Sequence, residues 1–102
     1  MGTLHTVNKS PFQNQTLLSC LAHVKDGDAV LMIEDGVYGA TTGTAVSDAL
    51  AEISADVSLY VLGPDLAARG IDAGRIAEAV NSVDYEGFVD LAATHDRVHN
   101  WL

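Results

Sequence analysis

With 102 residues, a formal net charge of −9 and 14 acidic against 5 basic side chains, the chain has the size of one compact domain. Its charge repels a phosphate backbone, which argues against direct nucleic-acid binding. Apolar residues make up 48% of the chain, which excludes a disordered polymer, yet no apolar run reaches the roughly 20 residues that span a bilayer.

The elements follow from periodicity. "TLHTV" (Thr3–Val7) is rich in β-branched residues and reads as a short first strand. "NKSPF" is a loop, because Pro11 pushes Ser10 towards an extended conformation. A helix is predicted from about Gln13 to Val24, stopped by the Asp26-Gly27 turn. "DAVLMIED" (Asp28–Asp35) is a continuous apolar run with charged ends, as in a strand buried on both faces. "GVYGATTG" is a glycine-rich loop, and a short helix follows from about Thr44 to Ile53. "DVSLYVLG" (Asp56–Gly63) is a third buried strand. Pro64 suits the first turn of a helix that Gly70 ends. A further helical piece is predicted over about Ala73–Asn81, with "SVDY" as a short edge strand. "YEGFVDLAATH" (Tyr85–His95) places Phe88, Val89, Leu91 and Ala92 at helical spacing. Alternating strands and helices imply right-handed crossovers. The expected fold is a single three-layer α/β/α domain over residues 1–102 with a mostly parallel, doubly wound sheet.

Cys20, the single cysteine, is the first candidate for chemistry. Leu17, Leu18, Leu21 and Val24 cluster on one face of its helix at about 100° per residue, which puts Cys20 on the border of the apolar stripe. His23, three residues on, is within reach; protonated, it would favour the thiolate. Packing is the competing reading, since free cysteine is among the most buried residue types. One cysteine cannot close an intramolecular disulfide, and no basic segment precedes an apolar stretch at the amino end. A reducing cytoplasm is therefore the expected home.

The other motifs carry less. The loop "EDGVYGATTGT" follows a buried strand where open α/β sheets place ligands, but no lysine follows Gly43, and Glu34 and Asp35 oppose an anion. A structural turn or partner contact is the better reading. "HDRVH" spaces His95 and His99 at i, i+4, which on a helix can chelate zinc. Further ligands are lacking at recognisable spacing, so a solvated or interface pair is expected. His5 reads as a hydrogen-bonded core or rim histidine. No cofactor and no metal are expected, and Trp101 is a candidate interface residue because aromatics are enriched there.

Several stretches in order resemble the TusB/DsrH family of sulfur-relay subunits. They are "LHTVNKSP" (Leu4–Pro11), "GDAVLMIEDGV" (Gly27–Val37), "YVLGPDLAARG" (Tyr60–Gly70), "VDYEGFVDL" (Val83–Leu91) and "HNWL" (His99–Leu102). The resemblance implies a DsrE/TusBCD-like fold and a heterohexamer with DsrE/TusD-like and DsrF/TusC-like siblings. Such complexes pass persulfide sulfur to a DsrC/TusE-type acceptor. In the family the principal sulfur-bearing cysteine belongs to the TusD/DsrE-like sibling, in a loop after a strand, and this chain has no cysteine at such a position. A cysteine in the first helix resembles members from sulfur-oxidising bacteria. The resemblance therefore implies a DsrH-type role in sulfur oxidation, with Cys20 as the candidate persulfide carrier and His23 as the residue tuning it. The alternatives are a TusB-type subunit for 2-thiolation of the tRNA wobble uridine, and a scaffold subunit without catalytic chemistry. A free-standing, flavodoxin-like small-molecule domain is a further reading, disfavoured for want of a recognisable cofactor loop.

Overall fold

A computed structural model describes residues 2–12 and 14–101. Five strands form one sheet: β1 (Thr3–Val7), β2 (Ala29–Met32), β3 (Ser58–Leu62), β4 (Val80–Val83) and β5 (Arg97–Trp101). Their order is β4-β3-β2-β1-β5, and all four neighbouring pairs are parallel. The chain steps outward from β1 to β4, then crosses the whole sheet to place β5 beside β1. Four helices cover it: α1 (Thr16–His23), α2 (Ala45–Ile53), α3 (Gly63–Ala68) and α4 (Tyr85–Thr94).

Strand alternation divides the core into two layers. Val7, Val30, Met32, Leu59 and Val61 pack against Leu17, Cys20, Leu50 and Leu66 of α1–α3. Leu4, Ala29 and Leu31 face the other way, against Phe88, Leu91 and Ala92 of α4. The three-layer architecture read from the sequence is therefore present. Local chemistry sets the helix ends. The Thr44 side chain accepts from the Ser47 amide at 3.2 Å and the Asp84 carboxylate from the Gly87 amide at 2.8 Å, capping α2 and α4.

Three elements differ from the sequence expectation. Helix α1 begins at Thr16 because Asn14 and Gln15 are not helical, while the expected start at Gln13, like Leu102 of "HNWL", lies outside the described residues. The helix expected over 73–81 is a single 3-10 turn, Ala73–Arg75. At its end the Arg75 carbonyl accepts from the Thr42 amide, and beyond it the Ala77 amide donates to the Ala40 carbonyl, so these groups serve a neighbouring loop instead of a helix. The third difference is β5, where the sequence shows no strand signal.

The glycine-rich loop after β2 is a 3-10 segment, Glu34–Ala40, that buries Gly36, Val37, Gly39 and Ala40. A Cβ on Gly36 would stand 2.1 Å from the Val7 carbonyl oxygen, whereas one on Gly74 would meet nothing within 4 Å. Gly36→Ala is expected to cost about 1–3 kcal/mol in urea unfolding. Gly74→Ala is expected to stay within about 0.5 kcal/mol of wild type. Equal effects would contradict this packing.

Candidate functional site

Titratable side chains converge at the amino edge of β1 and β5. Asp28 directly precedes β2 and is buried, 8% exposed. Its Oδ1 accepts from the Thr3 amide at 2.9 Å. Its Oδ2 accepts from the Lys25 amide at 3.0 Å and from His5 Nε2 at 2.9 Å. Burial alone would raise the pKa of this carboxyl. The hydrogen bonds from Thr3, His5 and Lys25 outweigh that and hold it below the ordinary aspartate range.

His5, in the middle of β1, pairs in register with His99 of β5. The Trp101 indole N–H donates to His5 Nδ1 at 3.0 Å. An indole nitrogen can only donate, so Nδ1 carries the lone pair and the proton resides on Nε2, facing Asp28. The partners thus assign the tautomer. Asp28, His5 and Trp101 form one chain of hydrogen bonds from the loop before β2, across β1, to the last described residue of β5. Around it the rings pack in a ladder. His99 stacks on Trp101 at 4.7 Å and 8°, His5 lies 5.7 Å from His99, and His23 rests 5.6 Å from Trp101.

Cys20 stands apart from this ladder. It is fully buried in the layer beneath α1 rather than on the stripe's border, while Leu18, counted among the core-facing leucines, is 46% exposed. Burial, reinforced by the Asp28 charge, pushes the thiol up to about 12. At neutral pH it is a protonated, enclosed thiol. His23 Nδ1 donates to the Ser19 carbonyl at 2.7 Å, and its ring turns to Trp101, so no hydrogen bond joins it to Cys20. The structure brings His23 to the ring ladder and leaves Cys20 in the core.

The helical spacing of His95 and His99 is also overturned. Helix α4 ends at Thr94, His95 caps it with Nδ1 donating to the Leu91 carbonyl at 2.8 Å, and His99 belongs to β5. Among the described residues no group of three or more His, Cys, Asp or Glu side chains is arranged to hold a metal. Sequence reasoning missed Asp28 as a partner of His5 and Trp101 as its donor. The available signal was a histidine inside an apolar strand, because a buried imidazole requires two partners.

A model of the family described as "DsrH like protein" matches residues 9–98. Protein TusB of Escherichia coli O81 (strain ED1a) is 35% identical over 98 residues, covering 96% of this chain and 99% of that protein. Protein TusB of Pectobacterium parmentieri is 37% identical over the same length and coverage. Among solved structures, the ychN protein from E. coli superposes with a TM-score of 0.78 at 14% identity, covering 98% of this chain and 99% of that one. The protein of unknown function MTH1491 from Methanobacterium thermoautotrophicum gives 0.71 at 18% identity, covering 93% and 96%. At those identities the two structures bear on the fold alone.

Asp28 generates a prediction about acid. Its folded pKa lies below its unfolded value, so its contribution to stability is present above the unfolded carboxyl range, near about 4, and is lost as pH falls through the depressed folded value. Asp28→Asn puts an amide N–H where at least one donor now points and is expected to cost about 1–3 kcal/mol at pH 7. Its acid unfolding limb should be shallower than that of the wild type. An unchanged limb would show that Asp28 is not among the carboxyls governing acid unfolding.

Proposed function

Because this chain belongs to the DsrH-like family, we propose that it is a subunit of a sulfur-relay complex and that it contributes structure there rather than a sulfur-bearing thiol. The observation that carries the second half is Cys20, the sole cysteine, fully buried with its thiol held protonated. Sulfur relay needs a thiolate that attacks a sulfane sulfur, forming a new S–S bond as the donor thiolate leaves. A sulfur atom added to Cys20 would also have to fit between Leu17, Val30 and their neighbours in a close-packed layer. The relay thiol is accordingly assigned to the DsrE/TusD-like sibling.

The relatives that match the chain end to end carry the name TusB. This favours the alternative branch, sulfur delivery for 2-thiolation of the wobble uridine of tRNA, over sulfur oxidation. The argument for sulfur oxidation rested on a cysteine in the first helix and on "NKSP" (Asn8–Pro11), and the TusB relatives weigh more than those two features. The expected partners are the DsrE/TusD-like and DsrF/TusC-like siblings of a heterohexamer and a TusE/DsrC-type acceptor, in the cytoplasm. The acidic surface suits a basic sibling or acceptor face, and other proteins would touch the tRNA. No helix among the described residues is long and apolar enough to cross a membrane.

The test uses the complex co-expressed with its siblings and loaded with a persulfide donor, each subunit being weighed intact without reductant. The sibling is expected to gain a sulfur atom while this chain keeps its mass. Cys20→Ala should leave transfer to the acceptor unchanged; alanine is chosen over serine because a buried hydroxyl would add an unpaired polar group. A sulfur gain on this chain that Cys20→Ala removes would make Cys20 a relay station and overturn the proposal.

A further inference from the structure

The ring ladder borders an open cleft of about 570 Å³, lined by Thr3, His5, His23, Lys25, Arg97 and His99 together with Asp28. Its charge runs against that of the molecule. The chain has 14 acidic and 5 basic side chains, yet two of those five bases and three of its four histidines line this one cleft. Asp28 is the one carboxylate in the lining, and both its oxygens are spent inward on the Thr3 and Lys25 amides and on His5. Neither the Lys25 nor the Arg97 side chain is in a direct ion pair among the described residues, although the adjacent Asp96 carboxylate interacts electrostatically with Arg97. By contrast, Arg69, outside the cleft, is bound to Asp35 at 3.0 Å.

Two of the imidazoles also keep hydrogen-bonding capacity. His23 spends Nδ1 on the Ser19 carbonyl, and its Nε2 has no hydrogen bond among the described residues. Neither nitrogen of His99 has one, although its ring is fixed by stacking on Trp101. A concave site with two cations in no direct ion pair among the described residues, and two positioned imidazoles, is suited to a ligand bearing several acceptor oxygens. It also lies at the amino edge of the sheet, away from the carboxyl edge where this fold class usually binds ligands.

We propose that this cleft is a binding site for a small oxyanion, held by the Lys25 ammonium and the Arg97 guanidinium, with His23 and His99 hydrogen-bonding its oxygens. The site is independent of the relay reading, because it uses no sulfur chemistry and no sibling subunit. Lys25 lies just beyond α1 and Arg97 opens β5, so a bound anion bridges the helix end to the edge strand.

Trp101, the single tryptophan, reports on the site directly, since it stacks on His99 and touches His23. The full-length chain is titrated with inorganic phosphate and with sulfate at constant ionic strength made up with chloride, following Trp101 fluorescence. A saturable change is expected for at least one of the two. Arg97→Glu should weaken it by about tenfold or more, the loss of a charge-assisted contact. Lys9→Glu makes the same charge change outside the cleft and should leave the affinity within about twofold, because exposed charges beyond a Debye length are screened. Circular dichroism of both variants establishes that they are folded. No saturable response to either anion, or equal weakening by both substitutions, would overturn the site. So would saturation by a short glutamate peptide alone, which would make the cleft a contact for a partner's carboxylates.

Discussion

The Asp28 carboxylate ties its own turn to β1: its two oxygens accept from the Thr3 amide and the His5 ring, 25 and 23 residues away, and from the nearby Lys25 amide. The Thr3 amide begins β1, the Lys25 amide closes the turn after α1, and His5 passes the connection on to Trp101 at the end of β5. Removing a buried acceptor that serves three donors would leave each of them without a partner in a place where water cannot easily replace it. The order of the sheet makes this anchor consequential. Strand β5 arrives last, after the chain has crossed from the far edge, and has β1 as its sole neighbour in the sheet. Its side chains are mostly exposed, so little apolar burial holds it. The β1–β5 backbone ladder holds it, and the hydrogen bond from Trp101 to His5, the Thr6–Asn100 contact and the stacking of His99 add side-chain interactions to that ladder.

The same carboxylate reaches into the chemistry of the core. Its charge adds to the desolvation that keeps the Cys20 thiol protonated. One buried anion thus helps order the edge strand and disfavours a thiolate nearby. The cysteine that looks like the chemical centre of the sequence lies fully buried, and a histidine that looks like packing is the hub of a polar network. The cleft beside that hub gathers cations and imidazoles on a molecule that is otherwise strongly acidic.

Most of the fold was legible because burial writes itself into composition. The runs around Ala29–Met32 and Ser58–Leu62 are apolar on both faces, as central strands must be, and Thr44, Pro64 and Gly70 mark helix ends by their backbone chemistry. Strand β5 was not legible, for the converse reason. "RVHNW" is polar and exposed on an edge, so it has neither the alternation nor the apolar run that reveals a strand. Ile76, Ala77, Ala79 and Val80 could fit a helix as well as the irregular path they take, and the loop contacts that decide between the two are long-range. Cys20 was misplaced for a subtler reason. Taking Leu18 as core rotated the inferred face of α1 towards it, whereas the helix packs through Leu17 and Cys20 and leaves Leu18 exposed. The network around His5 was invisible because its members lie 23 and 96 residues away. A sequence shows that a buried imidazole needs partners but not which residues they are.

The tautomer of His5 tests the central role of this network most directly. Long-range proton–nitrogen correlation on the labelled protein at neutral pH reads which imidazole nitrogen bears the proton. The hydrogen-bond chain requires a protonated Nε2, an unprotonated Nδ1, and a Trp101 indole proton that exchanges slowly with solvent. A proton on Nδ1 in the neutral ring, or an indole proton exchanging as fast as a free one, would show that Trp101 does not donate to His5. It would also show that the Asp28–His5 pair does not extend to β5, leaving that strand to its backbone ladder with β1.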